Sequence, residues 1–143
     1  MLNVIVVDAS VLATALTDDG RSGDAARARL RSERLVAPEI IDLEVASALR
    51  SQLRSKKINL RRAALALSDL AAVHLDRAPH RPLLRRCWEL RNNLTIYDAA
   101  YIALAEALEV PFLTSDRRLS RSPNLRCVVE VISTPPAELP YGC

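Results

Sequence analysis

Residues 2–7 read Leu-Asn-Val-Ile-Val-Val and stop at Asp8. A run of β-branched side chains without polar alternation describes a strand that is apolar on both faces, as in a parallel sheet. Such a strand folds only if helices cover it from both sides, and the rest of the chain supplies them. Residues 11–17 read as a short helix with Ser10 as its N-cap, closed by the Asp18-Asp19-Gly20 turn. A helix over 23–32 and a short strand over 35–37 follow. Pro38 opens a helix running to 57, Asn59 precedes another over 60–72, and 73–76 form a brief strand. Helices over 82–92 and 95–108 come next, then strands over 110–114 and 126–132. Strands alternating with helices predict a three-layer α/β sandwich around a mostly parallel central sheet. With 143 residues, no internal repeat and no linker, this is one domain over 1–133, followed by a Pro-rich tail over 134–143.

Composition narrows the class. The chain is 50% hydrophobic and 26% charged, which excludes a disordered, collagen-like or disulfide-scaffold protein. Cys87, Cys127 and Cys143 are odd in number, form no CxxC pair, and make no familiar zinc spacing with His74 and His80. That usage predicts a reducing, cytoplasmic setting. The run over 4–7 lacks the basic flank of a signal peptide, and Asp69, Asp98 and Glu106 break the later apolar segments well short of the about 18 residues a membrane span needs. The formal charge of +3 is a mild basic bias compatible with a polyanionic partner. Nearly all the cations are Arg, which suits phosphate contacts, although an Arg- and Ala-rich chain is also what a GC-rich genome encodes.

Ligands of open parallel sheets bind beyond the carboxyl ends of the strands. Asp8 follows one strand there and Asp116 follows another, though taken singly a turn residue and a cap for the short helix DRRLS are the readier explanations. Glu44 is harder to dismiss. Ile40, Ile41 and Ala48 are its neighbours at helical spacing, so its carboxylate projects from the apolar stripe. A buried carboxylate calls for a cation, a proton or an Arg partner. Asp42 nearby is placed for solvent. Asp98 stands three residues after Thr95, and a T-x-x-D capping box competes with a functional role. Four carboxylates brought to one edge repel one another, and a divalent cation removes the conflict. All-oxygen ligation without His or Cys suits Mg²⁺ or Mn²⁺, which activates water at a phosphodiester. The chain has no GxSxG, Walker or GxGxxG motif.

The run VIVVDASVLA, the helix LEVASAL and the segment LTIYDAAYIALAEALEVPFLTSDRRL together resemble a PIN domain, most closely that of a VapC-type toxin of a bacterial toxin–antitoxin pair. The resemblance spans Asp8 to about residue 132 and implies a metal-dependent endoribonuclease. It makes Asp8, Glu44, Asp98 and Asp116 the acids that hold one or two Mg²⁺ or Mn²⁺ ions, supported by Ser10, Thr114 and Ser115. Glu44 then acts through water or orients it, and in-line attack leaves a 5′-phosphate and a 3′-hydroxyl. The resemblance also implies a homodimer, a VapB-like antitoxin whose C-terminal segment blocks the pocket, and structured RNA such as tRNA or rRNA as substrate. Arg117 and Arg118 are the cations nearest the acids in sequence. Other readings are a housekeeping RNA-processing nuclease of the same fold and a non-catalytic RNA- or partner-binding module, which leaves Glu44 unexplained. A haloacid dehalogenase-type phosphatase needs D-x-D where this chain has Ser10.

Overall fold

The computed structural model describes residues 3–133. The β-branched run forms β1 (Asn3–Val7), whose last three residues are buried, as a strand covered on both faces demands. β2 (Glu33–Pro38), β3 (Leu75–Ala78), β4 (Phe112–Thr114) and β5 (Val129–Val131) complete a five-stranded sheet of order β3-β2-β1-β4-β5. Every pairing is parallel, so the expected mostly parallel sheet is wholly so. Helices α1 (Ala9–Thr17) and α2 (Arg21–Leu30) link β1 to β2, and α3 (Ile41–Arg54) and α4 (Leu60–Ala72) link β2 to β3. A 3-10 turn over Arg81–Leu83, α5 (Leu84–Glu89) and α6 (Ile96–Leu108) lead to β4, and the short α7 (Arg117–Ser120) leads to β5.

The chain grows outward from β1 to β3, then returns to the other side of β1 as β4. That reversal puts the topological switch point between β1 and β4, where open α/β sheets form their crevice. Val6 and Val7 pair with Phe112 and Leu113, and the Asp8 N–H donates to the Leu113 carbonyl at 2.9 Å. The first residue past β1 is thereby fixed beside Thr114.

Two groups of helices flank the sheet. On one side of the contacts α1 packs on α2, α3 and α4; α6 lies against β1, β2 and β4, with α5 packed on it in turn. α6 buries every residue from Ala99 to Ala105, more than a single amphipathic stripe, and four of those seven are alanines. Small side chains let the helix approach the strands closely. Glu106 interrupts the apolar segment for a structural reason. It is met by Arg86 of α5 at 2.9 Å, accepts the Arg126 N–H at 3.1 Å, and ties α5, α6 and the loop before β5 together.

Two local expectations change. Pro38 does not open a helix: it ends β2 opposite Ala78 of β3, where its missing N–H is tolerated, and α3 starts at Ile41. Ser10 is not the N-cap of α1; Asp8 holds that position, and Ser10 lies inside the helix with its hydroxyl turned back to Asp8. Thr95 and Asn59 do cap their helices, each accepting an N–H three residues on. Cys87 and Cys127 are free thiols. Among the described residues no helix is long and apolar enough to cross a membrane. Leu2, Cys143 and the Pro-rich tail of 134–143 lie outside the described residues.

Gly23 marks the tightest backbone approach. A Cβ there meets the Asp18 carbonyl oxygen at 1.7 Å, and that carbonyl already accepts from Arg27 at 2.8 Å. Gly23→Ala is expected to force α2 away from the end of α1 and destabilise the fold by ~1–3 kcal/mol, read as a lower denaturant midpoint. An unchanged midpoint would show that this junction yields freely.

Candidate active site

Asp8 leaves β1 at the switch point, and two hydroxyls converge on its Oδ2. Thr114, the last residue of β4, donates from Oγ1 at 2.6 Å, and Ser10 donates from Oγ at 3.1 Å. Each hydroxyl also accepts a backbone N–H from the turn after β4. Thr114 Oγ1 takes that of Asp116 at 3.1 Å, and Ser10 Oγ takes that of Ser115 at 3.4 Å. A hydroxyl can donate once and accept twice, so these two relay between the acid on β1 and the turn that carries Asp116. Thr114 is fully buried. Ser115 contributes through its backbone and leaves its side chain exposed.

Glu44 stands in the first turns of α3, half-buried, and its partner is not an arginine. The Tyr101 hydroxyl donates to Oε1 at 2.7 Å. Asp42, set aside as the solvated neighbour, is held by Arg77 through both oxygens at 2.8 and 2.9 Å. Asp98 is in the first turn of α6, where Thr95 accepts its N–H at 3.1 Å, so the cap is real and coexists with an acid facing the crevice. Asp116 likewise has two roles. It caps α7 by accepting the Arg118 N–H at 3.0 Å, and its carboxylate pairs with the Arg118 guanidinium at 2.6 Å.

The four acids act on one another electrostatically. Burial pushes the Asp8 carboxyl above its ordinary range; the Thr114 and Ser10 hydroxyls pull it back, and the charge of Asp98 adds to the rise. Burial also raises Glu44, Tyr101 opposes that, and Asp8 and Asp98 both add to it. Asp98 is raised by burial, relieved by Thr95, raised further by Asp116 and eased in part by the Arg118 charge. Asp116 alone is lowered, because Arg118 neutralises it. The structure thus brings all four predicted acids into one interacting chain at the carboxyl edge of the sheet.

The donor set fits a hard divalent cation: four carboxylates, three of them raised by burial and by one another's charge, with no imidazole or thiolate among them. Among the described residues no three acid, imidazole or thiol groups stand close enough to enclose an ion as they are placed. Asp116 is turned to Arg118, and swinging it inward requires only that an exposed ion pair open, which costs little. Tyr101 is the residue that sequence reasoning missed. Its signal was present: a tyrosine three residues after Asp98, on the same helical face, in a segment apolar enough that its hydroxyl would need a partner.

Comparison with known proteins places the chain in a family. A family model described as the PIN domain matches residues 5–125. Ribonuclease VapC1 of Mycobacterium tuberculosis is 41% identical over 128 residues, which cover 89% of this chain and 96% of that protein. Ribonuclease VapC9 of Mycobacterium tuberculosis is 39% identical over 129 residues, covering 90% and 98%. In structure, the chain is similar to VapBC2 from Rickettsia felis, crystallised with a DNA fragment from its promoter, at a TM-score of 0.65 and 14% identity, covering 91% of this chain and 99% of that one. The all-parallel sheet, the acids at its switch point and these likenesses together show that the chain belongs to the PIN domain family, in its VapC ribonuclease branch.

Proposed function

We propose that this protein is a divalent-cation-dependent endoribonuclease and the toxin of a toxin–antitoxin pair. The observation that carries the reading is the set of partly desolvated acids at the β1–β4 switch point, three of which the fold holds against their own repulsion. Structural carboxylates are normally paired off, as Asp42 and Glu106 are here. Asp8, Glu44, Asp98 and Asp116 are the residues that would hold Mg²⁺ or Mn²⁺. Bound there, the cation supplies an activated water and offsets the charge that builds on the phosphodiester.

The protein's own groups do the rest. Thr114 and Ser10 fix the aim of Asp8, and Glu44 accepts a hydrogen bond from the attacking water and orients it. Arg118, once released from Asp116, is free to contact a backbone phosphate, as are Arg117 and Arg121, which are exposed beside it. The products are a 5′-phosphate and a 3′-hydroxyl. The family resemblance implies structured RNA such as tRNA or rRNA as the substrate class; with one Phe, one Trp and three Tyr in the chain, stacking platforms are few, so shape and unpaired bases carry the recognition. The relatives named VapC and the similarity to a VapBC protein support a VapB-like antitoxin as partner; a homodimer is what the family resemblance adds, and the cysteine usage points to the cytoplasm. A groove of about 750 Å³ between α1, α2 and α4, lined by Leu12, Leu16, Leu30 and Val73 with Arg27 and Arg62 at its edge, suits the apolar face of an antitoxin segment.

Two outcomes follow. Millimolar Mn²⁺ or Mg²⁺ should raise the melting temperature and switch on RNA cleavage, and chelation or Asp8→Asn should abolish both; identical melts and no cleavage across a full titration would rule the site out. RNA affinity, measured on Asp8→Asn to prevent cleavage, should fall steeply with salt as phosphate contacts release counterions.

A further outcome concerns the cation-free protein. Acids whose folded pKa lies above the unfolded value hold protons on folding that the unfolded chain has lost, so their contribution to stability is greatest in acid. It declines as pH rises from the ordinary carboxylate range, about 4, through the folded values. Asp98→Asn removes one such charge and keeps the Thr95 cap, which uses the backbone N–H. In chelator it should therefore melt above the wild type at pH 7, with the difference shrinking towards pH 4. A lower melting temperature at pH 7 would show that Asp98 stabilises the fold as an ion.

A further inference from the structure

Tyr101 is the only polar side chain in the buried stretch of α6 and is 1% exposed. Its ring lies 5.6 Å from that of Phe112, the first residue of β4, at an interplanar angle of 31°. Helix and sheet hold the ring between them, so packing sets the position of the hydroxyl. That hydroxyl donates to Glu44 Oε1 at 2.7 Å, joining α6 to α3 across 57 residues of chain. The phenol oxygen is also acted on by the charge of Asp8 and by the backbone of Ala9, so it stands at the junction of β1 and α1. One oxygen atom on α6, the helix of Asp98, therefore meets both α3, which carries Glu44, and the end of β1, which carries Asp8.

We propose that Tyr101 is the positioning residue for Glu44: its hydroxyl fixes one oxygen of that carboxylate and leaves the other to the water or cation of the hydrolytic site. The proposal rests on the nuclease reading above. A glutamate has three rotatable bonds, and repulsion from Asp8 and Asp98 drives this one outward. Among the described residues, no second hydrogen bond to its carboxylate opposes that drive. The hydroxyl's single proton is committed to Glu44 Oε1 at 2.7 Å, and its oxygen stays able to accept from the backbone of Ala9. Asp98 and Tyr101, three apart on α6, present an acid and the donor that steers a second acid on one helical face.

The test is a double-mutant cycle on the full chain with Tyr101→Phe, Glu44→Gln and both together. Mn²⁺ affinity is measured by calorimetry, kcat and KM on an RNA substrate in Mn²⁺, and RNA affinity without divalent cation. Tyr101→Phe keeps the ring and its contact with Phe112. It is expected to weaken Mn²⁺ binding and lower kcat by roughly tenfold, the usual cost of losing a group that orients a ligand, with KM and cation-free RNA affinity unchanged. Added to Glu44→Gln it should cost nothing more, because the residue it steers is already altered. Equal losses from Tyr101→Phe in both backgrounds would overturn the proposal and make Tyr101 a packing residue, even for a variant that melts lower. Wild-type behaviour of Tyr101→Phe would overturn it as well, with the nuclease reading intact. A wild type that neither binds Mn²⁺ nor cleaves RNA would overturn both, and the wild-type arm reports that separately.

Discussion

The Asp8 carboxylate has to be satisfied where a strand buried on both faces reaches the end of the sheet, and the groups that satisfy it come from elsewhere in the chain. Thr114 arrives from β4 and Ser10 from α1. β4 has only three residues and pairs with β1 at two positions, so the bond from Thr114 is a sizeable part of what joins them above the ladder. The same threonine holds the turn that carries Asp116. Seam and site are therefore one construction: loosening the β1–β4 edge moves two acids, and removing Asp8 leaves buried hydroxyls without an acceptor.

Much of this was legible in the sequence. The run over 2–7 demanded cover on both faces, and the alternation after it pointed to a parallel sheet. Asp8 and Asp116 could be picked out at strand ends and Glu44 as a charge on an apolar helix face; Asp98 read equally as a helix cap, and the family resemblance joined it to the other three. Harder to read were features set by partners remote in sequence. Tyr101 looks like one more apolar residue of a buried helix until α3 brings Glu44 to its hydroxyl. Pro38 carries the signal of a helix start, but pairing with β3 overrides it. Ser10 has the right chemistry for a cap and spends it on Asp8 two residues earlier. The Asp98 ambiguity dissolves because one residue serves both roles: its N–H donates to Thr95 in the cap, and its carboxylate, also eased by Thr95, interacts with Asp8, Glu44 and Asp116.

Charge is handled in two ways in this molecule. Away from the crevice, acids meet guanidinium forks: Asp42 with Arg77, Glu106 with Arg86, Glu130 with Arg29. Within it, the side chains that hydrogen-bond Asp8, Glu44 and Asp98 are neutral hydroxyls, which orient a carboxylate without cancelling its charge. Asp116 is the boundary case, on the rim and paired with an exposed arginine. No arginine forms an ion pair with the interior three; Arg118 reaches Asp98 only through its field, from its pairing with Asp116.

The alanines of α6 extend the demands of the site to residues with no chemistry of their own. Ala99 and Ala105 are fully buried, and Ala103 nearly so, on a helix that rests against β1, β2 and β4. Each α-helical residue advances 1.5 Å along the axis and turns about 100° around it. A methylene added beneath the helix must be absorbed by lifting or rolling it, and either motion carries Asp98 and Tyr101 away from their partners on α3 and β1. The tolerance of this protein to mutation should thus follow distance from the seat of α6 more closely than distance from any carboxylate, with the smallest side chains the least replaceable.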